Sequence, residues 1–241
     1  MSAFREWLAA RRRLRHIRRS MVGNTVEIDP ADLKRVDLNI SGKGNVVRIG
    51  KLRPGEGIVS IGILGSGCEV VIGEKLMVTD ELGICIGENH PNLGPLTDCR
   101  VCLGPRCSVS KSDMILYNSH TSIEVGENCF IAFGTAFFNT DAHPIFSRQT
   151  GQIVNWPSRI RLGNHVWVCT QATILKNTEI PDGCIVGWGA VVSGRFDRQN
   201  VAICGNPGRI VTKEGREIEW RAADPAYPRN EGGNVVKEVV K

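Results

Sequence analysis

The chain has 241 residues, a formal net charge of +5 and 27 glycines, and aromatic residues make up only 6% of it. Its length suits one domain, and the glycines suit a chain that turns many corners. The sequence holds no apolar run of about 18 residues, which excludes a membrane-spanning helix. It also lacks an apolar segment with a cleavage site near its start, so we expect a cytoplasmic protein rather than a secreted one.

A basic helix over residues 1–20 is the first predicted element. Residues 5–19 hold seven arginines, some of which interrupt the apolar face that contains Trp7 and Leu8. One interpretation is a solvated helix that caps the first turn of the fold. The other is attachment through residues 5–19 to an anionic membrane or an acidic polymer. No recognition motif accompanies the charge, so we do not expect a nucleic acid partner.

Apolar residues then return at every sixth position, after two glycine-interrupted apolar runs at residues 39–50 and 67–73. A second slot, four places after each apolar position, mostly holds small residues. The apolar positions are Ile72, Val78 and Ile84, then Leu103, Val109 and Ile115, then Val125, Ile131 and Phe137. The slot residues are Leu76 and Leu82, then Cys107, Asp113 and Ser119, then Cys129 and Thr135.

The pattern is strongest over residues 162–193. A period of six matches neither the 3.6 residues of a helix nor the two of a single strand. It is typical of a parallel β-helix, in which the chain lays one short strand on each side of a triangular prism and fills the inside with the repeated residues. The apolar positions are Leu162, Val168, Ile174, Ile180, Val186 and Val192, and the slot residues are Val166, Ala172, Thr178, Cys184 and Ala190.

Nine cysteines raise the question of a metal site. The pair Cys99 and Cys102, followed by Cys107, is the best zinc candidate, but a closed zinc site usually needs a second such pair. Several cysteines instead occupy the small slot, where the side chain acts as a small hydrophobe. We therefore predict free thiols and no metal.

The period stops at His143 and resumes at Leu162. The residues between them include Pro144 and Pro157 and have mixed polarity, so we predict a protruding loop over 144–159. The β-helix domain is predicted to cover residues 21–212. A C-terminal extension over 213–241 follows, with a short helix at 214–223 and then a loosely held tail.

Three stretches resemble the hexapeptide-repeat acyltransferases: NTDAHPIFSRQTG (139–151), IRLGNHVWVCTQATILKNTEIPDGCIVGWGAVVSG (160–194) and CGNPGRIV (204–211). The branch they resemble most comprises O-acetyltransferases that modify galactosides, serine, antibiotics and capsular polysaccharides. The resemblance implies an all-β fold, a left-handed parallel β-helix, a homotrimer, and acetyl-CoA bound between neighbouring subunits. Only the resemblance gives the left hand, because crossovers between parallel strands are usually right-handed.

The resemblance makes His143 the general base. Acetyl transfer from a thioester to a hydroxyl requires removal of the hydroxyl proton, and an imidazole suits this task near neutral pH. Asp141 and Asn139 are close enough in sequence to orient the ring or to touch the acceptor. A lone histidine at a loop edge is otherwise a solvated or capping residue, so the surrounding motif is what favours catalysis.

The same resemblance implies that acetyl-CoA lies along the last coils. Trp167 precedes an apolar position and should point outward, where a ligand or a neighbouring subunit would cover it. Trp188 stands where alanine is usual, so it would stack on the coenzyme or crowd it, and Arg209 would pair with a coenzyme phosphate. The predicted cofactor-binding residues are Trp167, Thr170, Ala172, Gly187, Trp188, Ala190, Gly205, Asn206, Pro207 and Arg209.

The predicted function is transfer of an acetyl group from acetyl-CoA to a hydroxyl of a sugar, in the synthesis of a surface polysaccharide or glycoconjugate. An N-acetyltransferase acting on a nucleotide-linked amino sugar is the alternative. A third class is a non-catalytic β-helix, or a metal enzyme that gathers His120, His143 and His165 at a subunit interface. The identity of the acceptor depends on loops and on the neighbouring subunit, so the repeat pattern does not reveal it.

Overall fold

Residues 12–87 and 94–221 are described by the computed structural model. The predicted helix residues 1–11 and tail residues 222–241 lie outside them. Within the described ranges, helix α1 covers residues 12–20 and the 3₁₀ helix η1 covers Pro30–Arg35. The strands are β1 (Thr25–Ile28), β2 (Val36–Ser41), β3 (Val46–Ile49), β4 (Ile58–Ser66), β5 (Glu69–Ile72), β6 (Met77–Ile86), β7 (Leu96–Thr97), β8 (Arg100–Leu103), β9 (Ser108–Leu116), β10 (Ser122–Val125), β11 (Phe130–Phe138), β12 (Arg159–Leu162), β13 (Trp167–Val168), β14 (Thr173–Leu175), β15 (Glu179–Ile180), β16 (Ile185–Val186), β17 (Val191–Val192), β18 (Ala202–Cys204) and β19 (Arg209–Ile210).

The strands stack in parallel around a prism. The first face is a sheet in the order β1-β3-β5-β8-β10-β12-β15. A larger sheet runs from β2 to β19 and bends around a corner. The start of β11 pairs with β13, whereas its end pairs with β14. The second face therefore contains β13, β16 and β18, and the third contains β14, β17 and the ends of the long strands.

The last coils are as regular as the sequence predicts. Leu162 pairs with Ile180, Val168 with Val186, and Ile174 with Val192. Each partner lies 18 residues further along the chain (180 − 162 = 18), which is three hexapeptides, one for each face. All the apolar and slot residues of this stretch are buried, and full burial of such an aliphatic side chain stabilises the fold by about 1.5–3 kcal/mol.

In one upstream coil, the prediction of which residues point into the core is wrong. Ile115 is only half-buried and Asp113 is exposed, whereas Met114 and Leu116 are buried. The coils there are longer, because Leu103 pairs with Val125, 22 residues on (125 − 103 = 22). The register also shifts where β9 meets β6 and β11, and a bulge of this kind moves the following side chains to the opposite face.

Both ends of the described β-helix are held by side-chain contacts. Ile17 of α1 packs into the core, and Ser20 donates a hydrogen bond to the carbonyl of Leu38 (3.2 Å), so α1 caps the first coil. The short helix predicted at 214–223 is wrong for residues 214–221, which follow an irregular path. The Arg198 guanidinium holds this path by donating to the carbonyls of Thr212, Lys213 and Arg216.

No helix among residues 12–87 and 94–221 is long and apolar enough to cross a membrane.

Candidate functional site

The predicted loop leaves the third face at the end of β11 and returns at β12. Its tip is a small hairpin closed by an antiparallel bridge between Phe146 and Ile153. The amide of Val154 donates to the carbonyl of Ile145 at 2.9 Å, which holds the two arms together. The hairpin nevertheless presents apolar side chains to solvent: Ile145, Phe146, Val154 and Trp156 are all more than half exposed.

His143 lies at the base of this hairpin and is exposed. The preceding Ala142 adopts a left-handed backbone conformation (φ +59°), which is costly for a residue other than glycine. The turn is fixed because the Ala142 amide donates to Thr140 Oγ1 (2.9 Å) and Thr140 Oγ1 donates to Asn118 Oδ1 (2.8 Å). These bonds anchor the turn to the neighbouring coil while the imidazole stays accessible.

Asp141 braces the loop instead of orienting the imidazole. Its carboxylate accepts hydrogen bonds from Lys176 Nζ and from Asn155 Nδ2, each at 2.7 Å. Asn155 also donates to the carbonyl of His143 at 2.9 Å. Burial alone would raise the pKa of Asp141, but the hydrogen bonds from Lys176 and Asn155 and the charge of Lys176 hold that pKa below its ordinary value. Lys176 and Asn155 were not among the predicted site residues, and only their contacts reveal this role.

Asn139 is fully buried, so its side chain cannot touch an acceptor that approaches from solvent. Its Nδ2 donates to the carbonyls of Ser122 (2.9 Å) and Ser158 (3.3 Å), which joins the two ends of the loop. Its Oδ1 is buried without a hydrogen-bond partner among the described residues. The structure therefore gives Asn139 the role of tying the coil where the loop departs.

A second exposed corner lies between the second and third faces of the last coils. Trp188 is 71% exposed there, and its Nε1 donates to Gln171 Oε1 at 3.2 Å. The carbonyl of Thr170 accepts from the amide of Gly189 (3.0 Å). A Cβ added to Gly189 would meet no atom within 4 Å. The corner therefore offers open space, a flat indole face and a backbone held by the hydrogen bond between Gly189 and Thr170. These features fit an elongated ligand such as the pantetheine arm of acetyl-CoA.

Ala172 and Ala190 cannot line this corner with their side chains. Both are fully buried inside the prism, as expected for slot residues, so only their backbone can face a ligand. Gly187 is close-packed from the next coil, since an added Cβ would lie 2.6 Å from Cys204 Sγ. The glycine thus allows neighbouring coils to approach.

Trp167 is covered by the chain's own C-terminal segment. Trp220 is buried and lies with its ring centroid 6.0 Å from that of Trp167. Its indole stacks on the His165 imidazole at 4.1 Å with an interplanar angle of 6°. Trp220 Nε1 donates to the carbonyl of His165 (2.7 Å), and His165 Nε2 lies 2.9 Å from the carbonyl of Trp220.

The prediction that Trp167 points outward is therefore confirmed, but its cover in this chain is Trp220. Periodicity gives no signal for this contact because Trp220 lies outside the repeat.

The segment from Gly205 to Arg209 makes a turn between the antiparallel strands β18 and β19. Gly205, Asn206, Pro207 and Arg209 are all exposed. Gly205 adopts φ +94°, and the Asn206–Pro207 bond is cis. Arg209 Nη1 donates to the carbonyl of Gly208 (2.8 Å), which leaves the rest of its guanidinium available to an anion such as a phosphate.

The cysteines and histidines of the described ranges do not gather into a metal site. No group of three or more His, Cys, Asp or Glu side chains there is arranged to hold an ion. Cys99 is buried in the core whereas Cys102 is only half-buried, and no disulfide joins any of the nine cysteines, all of which lie in the described ranges. His120 lies 3.5 Å from Asp98, and His165 is occupied by Trp220, so each histidine has a separate environment.

His143 and the Trp188 corner lie at opposite edges of the third face. Gln171 marks one corner and Lys176 the other, and strand β14 lies between them. Five residues at about 3.3 Å each separate the two corners by about 16 Å. Within one chain, the exposed base and the open corner are thus a full face apart.

No protein-family model matches the chain. The polysialic acid O-acetyltransferase of Neisseria meningitidis is 27% identical over 160 residues, which cover 64% of this chain and 67% of that relative. The galactoside O-acetyltransferase of Escherichia coli (strain K12) is 29% identical over 102 residues, which cover 42% of this chain and 46% of the relative. The chain thus matches between about half and two thirds of the length of these relatives.

Among solved structures, the polysialic acid O-acetyltransferase OatWY superposes with a TM-score of 0.67 at 25% sequence identity. The match covers 85% of this chain and 90% of that one. The predicted fold class, a left-handed parallel β-helix, is confirmed.

Proposed function

We propose that this chain, whose homologues are O-acetyltransferases of the hexapeptide-repeat family, transfers the acetyl group of acetyl-CoA to a hydroxyl of a sugar. The acceptor would be part of a surface polysaccharide or glycoconjugate. The observation that carries the proposal is the exposed imidazole of His143 on a loop braced by Asp141, Asn155 and Lys176. Because acetyl-CoA is a cytoplasmic metabolite, the proposal places the reaction in the cytoplasm.

In the proposed mechanism, a ring nitrogen of His143 accepts the proton of the acceptor hydroxyl while the hydroxyl oxygen attacks the thioester carbonyl carbon. The tetrahedral intermediate collapses as its carbon–sulfur bond breaks. The sulfur of coenzyme A takes the proton from the imidazolium, so the products are the sugar ester and free coenzyme A. The bracing contacts hold the imidazole in place, which reduces the orientational cost of the attack.

Transfer is proposed to be direct, without an acetyl-cysteine. Cys107, Cys129 and Cys184 are fully or almost fully buried. Cys169 directly precedes Thr170 of the Trp188 corner, but burial raises its pKa to about 11, so it carries a proton at neutral pH. A protonated thiol is a poor nucleophile.

Acetyl-CoA is proposed to lie along the open corner of the last coils. Thr170, Gly187, Trp188 and the backbone at Ala172 and Ala190 would contact its pantetheine arm. The exposed turn of Gly205, Asn206, Pro207 and Arg209 would hold the nucleotide end, with Arg209 facing a phosphate. Trp167 would contribute indirectly, through its tilted contact with Trp220.

The functional unit is proposed to be a homotrimer. Strand β14 and its flanking residues separate the Gln171 corner from the Lys176 corner by about 16 Å, which is too far for direct transfer between groups held at these two corners of one chain. A neighbouring chain that contributes the opposite corner would bring the base and the thioester together. The exposed apolar side chains of Phe133, Phe138 and Trp188 would be covered by such a neighbour.

The proposed function is tested by incubating the protein with acetyl-CoA and a panel of sugars, and measuring acetylated product by mass spectrometry. A thiol reagent alone would mislead, because partly exposed cysteines such as Cys85 and Cys204 would react with it. The proposal predicts product that is stable in acid and cleaved by mild base, as an ester is. Transfer only to amino sugars, with base-stable product, would support the N-acetyltransferase alternative instead.

A further inference from the structure

A groove on the outer side of the third face has no role in the mechanism above. It lies between α1 and strands β2, β4, β6 and β9 and has a volume of about 580 Å³. Small-molecule sites typically measure about 300–1,000 Å³. The residues that matter most are Arg12 and His16 on α1, Asp37, Asn39 and Ser60 on one wall, Gly62 and Gly83 on the floor, and Asp113 and Tyr117 at the far end.

The floor is open because two adjacent strands place glycine on the outer face. Ser60 pairs with Gly83, and Gly83 pairs with Asp113, which aligns these positions across the face. A Cβ added to Gly62 would meet no atom within 4 Å, whereas a Cβ on Gly83 would lie 2.5 Å from Asp113 Oδ1. The Asp113 carboxylate therefore lies over the Gly83 position and faces the groove.

The groove ends at the corner that holds the turn of His143. Tyr117 is followed by Asn118, whose Oδ1 accepts the hydrogen bond from Thr140 Oγ1 at 2.8 Å. Thr140 in turn accepts from the amide of Ala142, the residue before His143. A ligand lying along the groove thus leads towards the candidate base.

The lining favours an uncharged, hydroxyl-rich ligand. The carboxylates of Asp37 and Asp113 and the amide of Asn39 can accept hydrogen bonds from sugar hydroxyls. Asp37 is paired with His16 at 3.4 Å, and Arg12 is the other basic residue of the lining. Asp37 already engages one of the two basic side chains, so the lining has little net positive charge with which to hold a polyanion.

We infer that this groove binds uncharged sugar residues of the acceptor, several rings away from the hydroxyl that is acetylated. The inference rests on the proposed function, since it assigns the groove to the acceptor of that same reaction. It gives the enzyme a preference for oligomeric over monomeric acceptors, because each extra ring adds contacts remote from the reacting atoms.

The test fills the groove without straining the fold. Gly62→Val adds an isopropyl group to open space, and valine suits a strand better than glycine. Gly94→Val is the matched control, because Gly94 is exposed, lies outside the groove and also has no atom within 4 Å of an added Cβ. The acceptors are a p-nitrophenyl hexoside, an uncharged hexose oligomer of the same sugar, and an oligosialic acid of equal length.

Gly62→Val should lower kcat/KM for the uncharged oligomer about tenfold and leave that for the hexoside unchanged. Gly94→Val should change neither, and neither substitution should lower the melting temperature. Unchanged kcat/KM for the oligomer in a folded Gly62→Val variant would overturn the inference, as would an equal loss on both acceptors. Preference for the oligosialic acid, lost in Arg12→Gln, would show a polyanion site instead.

The saccharide site in the groove and the proposed function can be rejected by different results. If the wild-type protein acetylates no sugar, the proposed function is wrong. Calorimetric titration with the uncharged oligomer, without acetyl-CoA, then still shows whether the groove binds a saccharide. Binding that Gly62→Val abolishes supports a saccharide site, and no binding to the wild-type protein rejects it.

Discussion

Single residues in this chain separate into those that are proposed to touch the reaction and those that hold others in place. His143 was predicted from its motif, and the structure leaves its imidazole exposed. Asp141, predicted from the same motif, instead pairs with Lys176 and Asn155. The sequence could not show this, because Lys176 follows Asp141 by 35 positions (176 − 141 = 35) and meets it only after the chain completes a coil.

Asp141→Asn should loosen the loop and lower turnover about tenfold to a hundredfold, because a misplaced base loses orientation. The folded-state pKa of Asp141 is lowered, so its contacts stabilise the loop above the pKa of the unfolded carboxyl. That contribution is lost as the pH falls through the folded-state value. Hydrogen exchange of residues 144–156 should therefore be faster in the variant at pH 6, and the difference from the wild-type protein should shrink as the pH falls below the ordinary range of an aspartate.

Asp98→Asn is the control for this prediction, since Asp98 is also an exposed carboxylate and lies 3.5 Å from the exposed His120. It should change neither turnover nor exchange in the loop. Equal exchange in wild-type and Asp141→Asn proteins at pH 6 would show that the Lys176 pair does not brace the loop.

Among the elements, the regular coils were predictable and the segments that lie on them were not. Strands β12 to β17 repeat one interior pattern, so their burial can be read from residues 162–192. The C-terminal segment shows no period, and the predicted helix is absent from residues 214–221. Its position depends on Trp220, a single aromatic side chain that finds a partner in His165.

Two tryptophans with opposite exposure test the roles of these elements. Trp220→Ala should lower the free energy of unfolding by about 2 kcal/mol, because it removes a buried stack on His165 and the hydrogen bond from Trp220 Nε1 to the carbonyl of His165. Trp188→Ala removes a side chain that is 71% exposed, so stability should change by less than about 0.5 kcal/mol. The KM for acetyl-CoA should instead rise. Denaturant unfolding measures the stability, and steady-state kinetics measure the KM. A loss of stability in Trp188→Ala, with a raised KM only in Trp220→Ala, would refute these roles.

Helix α1 both caps the coil and carries exposed charge, so the two predicted interpretations are compatible. We predict that replacing Arg15, Arg18 and Arg19 by glutamine weakens binding to anionic liposomes at low salt, because each basic residue near such a surface contributes about 1 kcal/mol. Substitution is preferable to deletion, since Ile17 and Ser20 pack on the first coil.

The matched control for α1 replaces Arg48, Arg100 and Arg195 by glutamine. These arginines lie on the first face or its edge and pair with Glu69 or Glu179. Co-sedimentation should fall for the α1 variant alone and should disappear at high salt. Equal co-sedimentation of both variants and the wild-type protein would leave α1 as a cap only.

At the scale of the whole molecule, the fold class could be predicted because a period of six has few structural solutions. The handedness and the assembly could not be worked out from the period, since neither changes the interior pattern. The exposed faces of one chain also do not show which of its corners contacts a neighbouring chain in an assembly.

The whole molecule should be a trimer in solution. Light scattering should give three times the 26.4 kDa mass of one chain at micromolar concentration. Phe138→Lys, at the end of the third face, should weaken assembly and activity together, because it places a charge in the proposed contact. A fully active species of 26.4 kDa would contradict an active site formed between two chains.

The central claim is that His143 removes the proton of the acceptor hydroxyl. Its most direct test is the rate of acetyl transfer to a sugar by His143→Ala, compared with His120→Ala, which removes another exposed imidazole. The account predicts a loss of about 10²–10⁴-fold for His143→Ala, no change for His120→Ala and wild-type melting temperatures for both. A loss below about threefold in folded His143→Ala would contradict it.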